Sequence, residues 1–265
     1  MSRNTATTKQ LTPLFNTSAL ELELGNLTLV EGLWRPLETL LPKGVPVQII
    51  APVSGPLCAI ETPAYPSQTP LYIHRAFLRE TPESQTKWER PPLPSLSIFL
   101  SRINWCLKKR TPYLWGGNAP KGTHSLSCIY NSPLHRLNQQ EQRIWKLEGV
   151  DCSGLIYWAT RGATGRNTSD LIREGTGVKI EGLSNEQIAA QLKPGMLIVW
   201  KGHVLVVTAE GIVDSTPEKG VSCTPILEKI RELMQKRIPI DAWPLSGNPA
   251  APSFVVRNLY NKIKF

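Results

Sequence analysis

The stretch LKPGMLIVWKGHVLVVTAEGIVDS, residues 192–215, carries the clearest structural signal in the chain. Its apolar runs at 196–200, 203–208 and 211–215 are of strand length, and Lys201-Gly202 and Glu210-Gly211 between them have the composition of tight turns. Three strands joined by short turns pair antiparallel. Just upstream, SNEQIAAQL at 184–192 begins on Ser184 with Gln187 three positions on, a capping box for a helix that Lys193-Pro194-Gly195 closes. Earlier still, in DCSGLIYWA, residues Cys152, Leu155, Ile156 and Ala159 recur at the spacing of one helical face. A helix is therefore predicted to begin at or just before the cysteine. Helix first and antiparallel strands after is an α+β order.

Working outward, SLSIFLSRINWCLKKR at 95–110 places Phe99, Ile103, Cys106 and Leu107 at helical spacing, with the basic residues Lys108, Lys109 and Arg110 where a helix C-terminus favours them. Pro112 and the Gly116-Gly117 pair break that helix. No element is assigned between Asn118 and Val150. The polar, proline-rich residues 81–94 have the composition of a linker. Before them, apolar runs at 27–30, 45–50, 57–60 and 71–73, separated by Gly and Pro, suggest a small β-barrel or sandwich over residues 26–80. Residues 1–25 lack a clear period and are expected to form a loosely held arm. The expected division is an arm at 1–25, a β-domain at 26–80, a linker at 81–94 and a second domain at 95–265.

Composition narrows the class. The 265 residues are 41% hydrophobic and 19% charged, which fits a soluble globular protein and disfavours disordered or fibrous chains. A net charge of +9, from 30 basic and 21 acidic residues, points to anionic partners. Nucleic acid is not expected, because neither zinc-ligand spacing nor an aromatic ribonucleoprotein motif accompanies the charge. No run reaches the ~18 apolar residues of a membrane span, and the residues after Met1 lack an apolar signal-peptide core, so a cytoplasmic protein without a membrane segment is expected. The 5 cysteines are irregularly spaced, which fits a reducing compartment; no metal, cofactor or obligate protein partner is expected.

Among those cysteines, Cys152 alone falls at the head of a predicted helix, where free backbone N–H groups and the helix dipole favour a thiolate. The ordinary role of a cysteine is a small buried hydrophobe, yet polar or small residues (Asp151, Ser153, Gly154) surround this one. A thiol nucleophile needs a base, and the 4 histidines are His74, His124, His135 and His203. His203 opens a strand directly after a tight turn, which fixes its backbone. Asp214 lies across the Glu210-Gly211 turn, where an adjacent antiparallel strand can bring a carboxylate to the imidazole and hold its orientation. A one-residue slip of register would present Val213 or Ser215 in its place.

Four segments in this order, PYLWGG at 112–117, DCSGL at 151–155, LKPGMLIVW at 192–200 and GHV at 202–204, resemble the NlpC/p60 family of papain-like cysteine peptidases. GIVDS at 211–215 resembles the family strand that bears a third catalytic residue, more often His; Asp214 departs from that choice but keeps its chemistry. The resemblance covers roughly 95–215, on the same motifs that the helix and strand periods picked out. It implies a catalytic domain whose nucleophile helix packs on an antiparallel sheet, and hydrolysis of stem peptides of peptidoglycan, or of muropeptides, between γ-D-glutamate and meso-diaminopimelate or lysine. It implies Cys152, His203 and Asp214 as catalytic residues, and Tyr113, Trp115, Asp151, Ser153, Arg166, Asn167 and Asp170 about the substrate. Tyr113 matches a family tyrosine that lines the site. LPKGVPVQII at 41–50 and PLYIHRAFL at 70–78 resemble the bacterial Src-homology-3-like (SH3-like) barrels that accompany the family. In members with such barrels an Arg-Asp pair after the nucleophile helix reads a free L-Ala amine; here the pair is Arg166-Asn167, with Asp170 beyond it. The insert 118–150 is longer than the family's connection and is expected to cap the cleft or meet a longer, glycan-bearing substrate. Two other readings are an amidase that removes the whole stem, or a broader wall lysin, and a non-catalytic peptidoglycan-binding module.

Overall fold

A computed structural model describes residues 4–52, 55–81, 87–131 and 134–261. The chain is mixed α and β with mainly antiparallel sheets. It divides into two compact units, Met1–Pro91 with Pro112–Asp151, and Pro92–Thr111 with Cys152–Phe265. The second domain expected as one run over 95–265 is therefore interrupted, and residues 112–151 belong to the first unit.

The first unit is built on a seven-stranded antiparallel sheet. Its strands are β1 (Asn4–Thr8), β2 (Thr12–Phe15), β3 (Leu37–Leu41), β4 (Pro46–Pro52), β5 (Leu57–Glu61), β6 (Leu71–His74) and β7 (Leu78–Glu80), in the order β3-β2-β6-β5-β4-β1-β7. The apolar runs at 45–50, 57–60 and 71–73 are β4, β5 and β6, whereas 27–30 is no strand and the β3 residues take that role. The loose arm expected over 1–25 is corrected. From Asn4 onward it supplies β1, β2 and most of α1 (Leu20–Asn26), because backbone pairing of β1 with β4 and β7 holds a Thr-rich segment that has little apolar alternation of its own. Among the described residues the ladder is an open path, so the expected closed SH3-like barrel is not shown. One core lies among Ala6, Leu14, Val47, Ile60 and Ile73.

The insert left unassigned folds into this unit as β8 (Asn118–Ala119), a helix at Gln139–Lys146 and β9 (Gly149–Val150). That helix buries Ile144 and Trp145 in a second core with Phe15, Trp34 and Leu37. Asn118 completes the edge: its Nδ2 donates to the Leu40 carbonyl at 2.9 Å and its Oδ1 accepts from the Leu40 amide at 3.3 Å. Gly116 has φ +69°, and a β-carbon there would lie 2.3 Å from the Leu37 carbonyl oxygen, so only glycine lets the two backbones approach.

The second unit begins with α2 (Leu96–Lys108), capped by the Ser95 hydroxyl accepting from the Ile98 amide at 3.4 Å. With the insert helix as α3, there follow α4 (Cys152–Ala159), α5 (Thr168–Leu171), β10 (Thr176–Val178), α6 (Asn185–Gln191), β11 (Met196–Trp200), β12 (His203–Val207), β13 (Ile212–Thr216), β14 (Gly220–Thr224), α7 (Ile226–Met234), β15 (Ile238–Pro239) and β16 (Ser253–Asn258). The sheet order is β10-β16-β11-β12-β13-β14, with β15 paired to β16. The expected capping box is present, Ser184 on α6 exchanging bonds with Gln187. β11 and β12 read as unbroken apolar runs because elements cover both faces. Ile188 of α6 and Ile230 and Leu233 of α7 join Ile198, Leu205, Val207 and Ile212 in one core. α4 packs on β12 and β13 and also meets α2.

The expected linker, 81–94, spans the change from the first unit to the second; its residues 82–86, like residues 1–3 of the expected arm and 132–133 of the insert, lie outside the described residues.

Candidate active site

Cys152 is the first residue of α4, where the chain leaves the two-residue strand β9 through Asp151 and turns into helix. The first amides of a helix have no partner within it, so their N–H groups and the dipole favour negative charge on a side chain placed there. The thiol is 8% exposed and donates toward the Gly202 carbonyl oxygen at 4.0 Å. Gly202 takes φ +99° in the turn between β11 and β12, and its amide donates to the Thr168 hydroxyl at 3.0 Å. Ser153, next along the helix, accepts from Arg166 Nη1 at 2.8 Å; Arg166 is 4% exposed. The surroundings of Cys152 are thus fixed by α5, by the residues preceding it and by the β11–β12 turn.

His203 follows that turn and opens β12. The β12–β13 register pairs Val206 with Val213 and Val207 with Ile212; continued, it sets Leu205 opposite Asp214 and makes His203 the diagonal neighbour of Asp214 on the same face. His203 Nε2 lies 3.8 Å from Asp214 Oδ2, the span of an ion pair. With Nε2 turned to the carboxylate, Nδ1 is the ring nitrogen left for Cys152. Burial pulls the His203 pKa down, but polar contacts and charge from Asp214 and Cys152 outweigh it and raise it to about 9. Trp200, paired with His203 across the strands, places its ring centroid 5.2 Å from the imidazole, with the Arg237 guanidinium 4.4 Å from the indole centroid.

Asp214 is 6% exposed. Burial works against its charge, but His203 and Lys229 hold its pKa below the usual carboxylate value. Its Oδ1 accepts from Ser222 Oγ at 3.3 Å, from the residue directly opposite on β14. Its Oδ2 meets Lys229 Nζ of α7 at 3.5 Å. No local feature of the sequence points to Lys229 or Ser222. Ser222 is implied only once the β13–β14 register is known, and Lys229 only once α7 is seen to return over the face that bears Ile212.

The other cysteines and histidines have different surroundings. Burial pushes the Cys106 thiol up to about 12 and raises those of Cys58 and Cys223. His74 accepts from the Ala76 amide through Nδ1 at 3.1 Å, which caps a short turn, and His124 and His135 sit on exposed segments. Asn167 and Asp170 form a cap for α5, the Asn167 amide donating to Asp170 Oδ2 at 3.5 Å. Of the residues that the resemblance assigned to substrate, Ser153, Arg166, Asn167 and Asp170 lie in the unit of Cys152, and Tyr113, Trp115 and Asp151 in the other. There the Arg35 guanidinium lies 3.9 Å from the Trp115 ring centroid. Among the described residues no group of His, Cys, Asp or Glu side chains could hold a metal ion, and no helix is long and apolar enough to cross a membrane.

Chemically, a thiol at a helix head beside an imidazole is an arrangement in which the ring can take the thiol's proton, the sulfur can attack a carbonyl carbon and the ring can then protonate an amine leaving group. No family model matches the chain, and no curated protein matches it. Solved structures similar to it include two from one organism. NlpC1 from Trichomonas vaginalis is 12% identical, covering 98% of this chain and 70% of that chain at a TM-score of 0.34. NlpC2 from the same organism is 14% identical, covering 97% and 74% at a TM-score of 0.32.

Proposed function

We propose that this chain is a cysteine peptidase of NlpC/p60 type that hydrolyses peptidoglycan stem peptides between γ-D-glutamate and meso-diaminopimelate or lysine, in cell-wall turnover, recycling or remodelling. The observation that supports it is the single constellation of Cys152 at the head of α4, His203 at the start of β12 and Asp214 on β13. The bond cleaved comes from the sequence resemblance, and the net charge of +9 suits a substrate that carries several carboxylates.

In this reading the Cys152 thiolate attacks the γ-carbonyl carbon of D-glutamate. The Cys152 backbone N–H stabilises the oxyanion. His203 gives its proton to the departing amine of the diamino acid as the carbon–nitrogen bond breaks, leaving a thioester. Water then attacks, His203 takes its proton, and the free γ-carboxylate and the thiol are restored. Asn167, an amide where an acid would pair with a free amine, leaves the enzyme open to stems whose L-Ala nitrogen is already acylated. The first unit serves as an SH3-like accessory module.

The test is digestion of L-Ala-γ-D-Glu-meso-diaminopimelate and of the disaccharide-tripeptide, with products identified by mass. Release of the free diamino acid from both, abolished in a folded Cys152→Ala variant, is expected. Retained turnover in that variant would overturn the assignment, and release of the intact stem from the sugar would make the protein an amidase.

A further inference from the structure

The carboxylate that orients His203 has a second cation on it. Lys229 Nζ approaches the same Oδ2 that faces the imidazole, at 3.5 Å against 3.8 Å, while Ser222 holds Oδ1 at 3.3 Å. Both Lys229 and Asp214 are screened from water, at 14% and 7% side-chain exposure. Lys229 is held from its other side by Glu232 Oε2 at 3.0 Å, one turn on along α7. An exposed lysine would gain little from such contacts; a lysine this enclosed gives up much of its hydration and rotamer freedom. The His–Asp pair alone would not need it.

We propose that Lys229 is a positioning residue of this site, whose ammonium keeps the Asp214 carboxylate anionic and partly neutralised, so that the mobile proton is confined to Cys152 and His203. This rests on the reading of Cys152 and His203 as nucleophile and base. A buried Asp214 that answered to His203 alone would bind the imidazolium too tightly, making it a poorer acid for the leaving amine. With Lys229 present the row Lys229, Asp214, His203, Cys152 alternates in sign when the thiolate forms and stays neutral in sum when the proton returns to sulfur.

Charged and titratable groups stand around this row on several elements. α4 contributes Cys152, β14 contributes Cys223, which feels both Asp214 and Glu210 of the β12–β13 turn, and α7 contributes Lys229 and Glu232. Lys236 reaches Glu232 at 3.8 Å, and Arg237 stacks on Trp200.

The experiment follows the His203 imidazole by NMR and, in parallel, the rate of Cys152 alkylation by iodoacetamide against pH, read by mass spectrometry on the Cys152 peptide. Wild type, Lys229→Met and Lys229→Arg are compared, each first shown to be folded. Lys229→Met is expected to raise the His203 pKa, and with it the alkaline limb of Cys152 alkylation, by about one pH unit. Turnover of the stem peptide at neutral pH should drop by roughly tenfold through kcat with KM little changed, and Lys229→Arg should restore the wild-type titration. A folded Lys229→Met protein with an unchanged or lowered His203 pKa would overturn the role of Lys229 alone. A wild-type Cys152 that titrates as an isolated thiol, with no dependence on His203, would instead remove the pair on which the proposal rests.

Discussion

Replacing Asp214 by Asn keeps the shape and the Ser222 contact but removes the charge beside His203. Two unit charges 3.8 Å apart attract by about 4 kcal/mol at an effective dielectric of about 20, close to three pH units of imidazolium stability. Burial pulls the His203 pKa down on its own, so the value of about 9 should fall toward the ordinary histidine range or below. At pH 8 the imidazolium would then be a minor species, and kcat/KM should drop by about 10²-fold, with the alkaline limb of the profile moved well below its wild-type position. The assay is kcat/KM for the stem tripeptide from pH 5 to 10, with Cys152 alkylation as a substrate-independent check. A limb that stays near pH 9 in a folded Asp214→Asn protein would refute the ion pair as the origin of the raised value.

The same imidazole links stability to pH. Its folded pKa of about 9 lies above the reference value of 6.5, so its contribution, on the order of 3 kcal/mol, is complete below pH 6.5 and is lost as pH rises through 9. Urea midpoints should therefore fall between pH 6.5 and 9 in the wild type and much less in His203→Asn; parallel curves would contradict this. In the first unit, Gly116→Ala would drive a β-carbon onto the Leu37 carbonyl at a positive φ, which should cost at least about 2 kcal/mol in urea unfolding. An unchanged midpoint would mean that the backbone there is free to move.

The second unit was legible where local pattern and tertiary structure agree. The helix at Cys152, the Ser184–Gln187 cap and the strands β11 to β13 could be read because each has its own period and its own turn, but the register that brings Asp214 to His203 could not, since a one-residue slip would present Val213 or Ser215. β16 was not read, since a short apolar segment after proline-rich chain does not announce that it pairs between β10 and β11. Lys229 was hidden for a related reason: α7 shows an amphipathic pattern, but nothing local says that a lysine on it turns back toward a buried carboxylate. In the first unit β1 is held by its partners' backbones, not by apolar alternation, and so looked like a loose arm. The insert's helix is not legible locally, and its place in the first unit follows only from the core partners of Trp145 and Ile144, among them Trp34 and Phe15.

The most direct measurement is rapid-quench mass spectrometry of the protein mixed with L-Ala-γ-D-Glu-meso-diaminopimelate. The expected result is a transient L-Ala-γ-D-Glu thioester on the Cys152 peptide, formed together with an equal amount of free diaminopimelate and absent in His203→Asn. Release of diaminopimelate with no acyl group on Cys152, or an acyl group on any other cysteine, would contradict the role assigned to this thiol and its histidine.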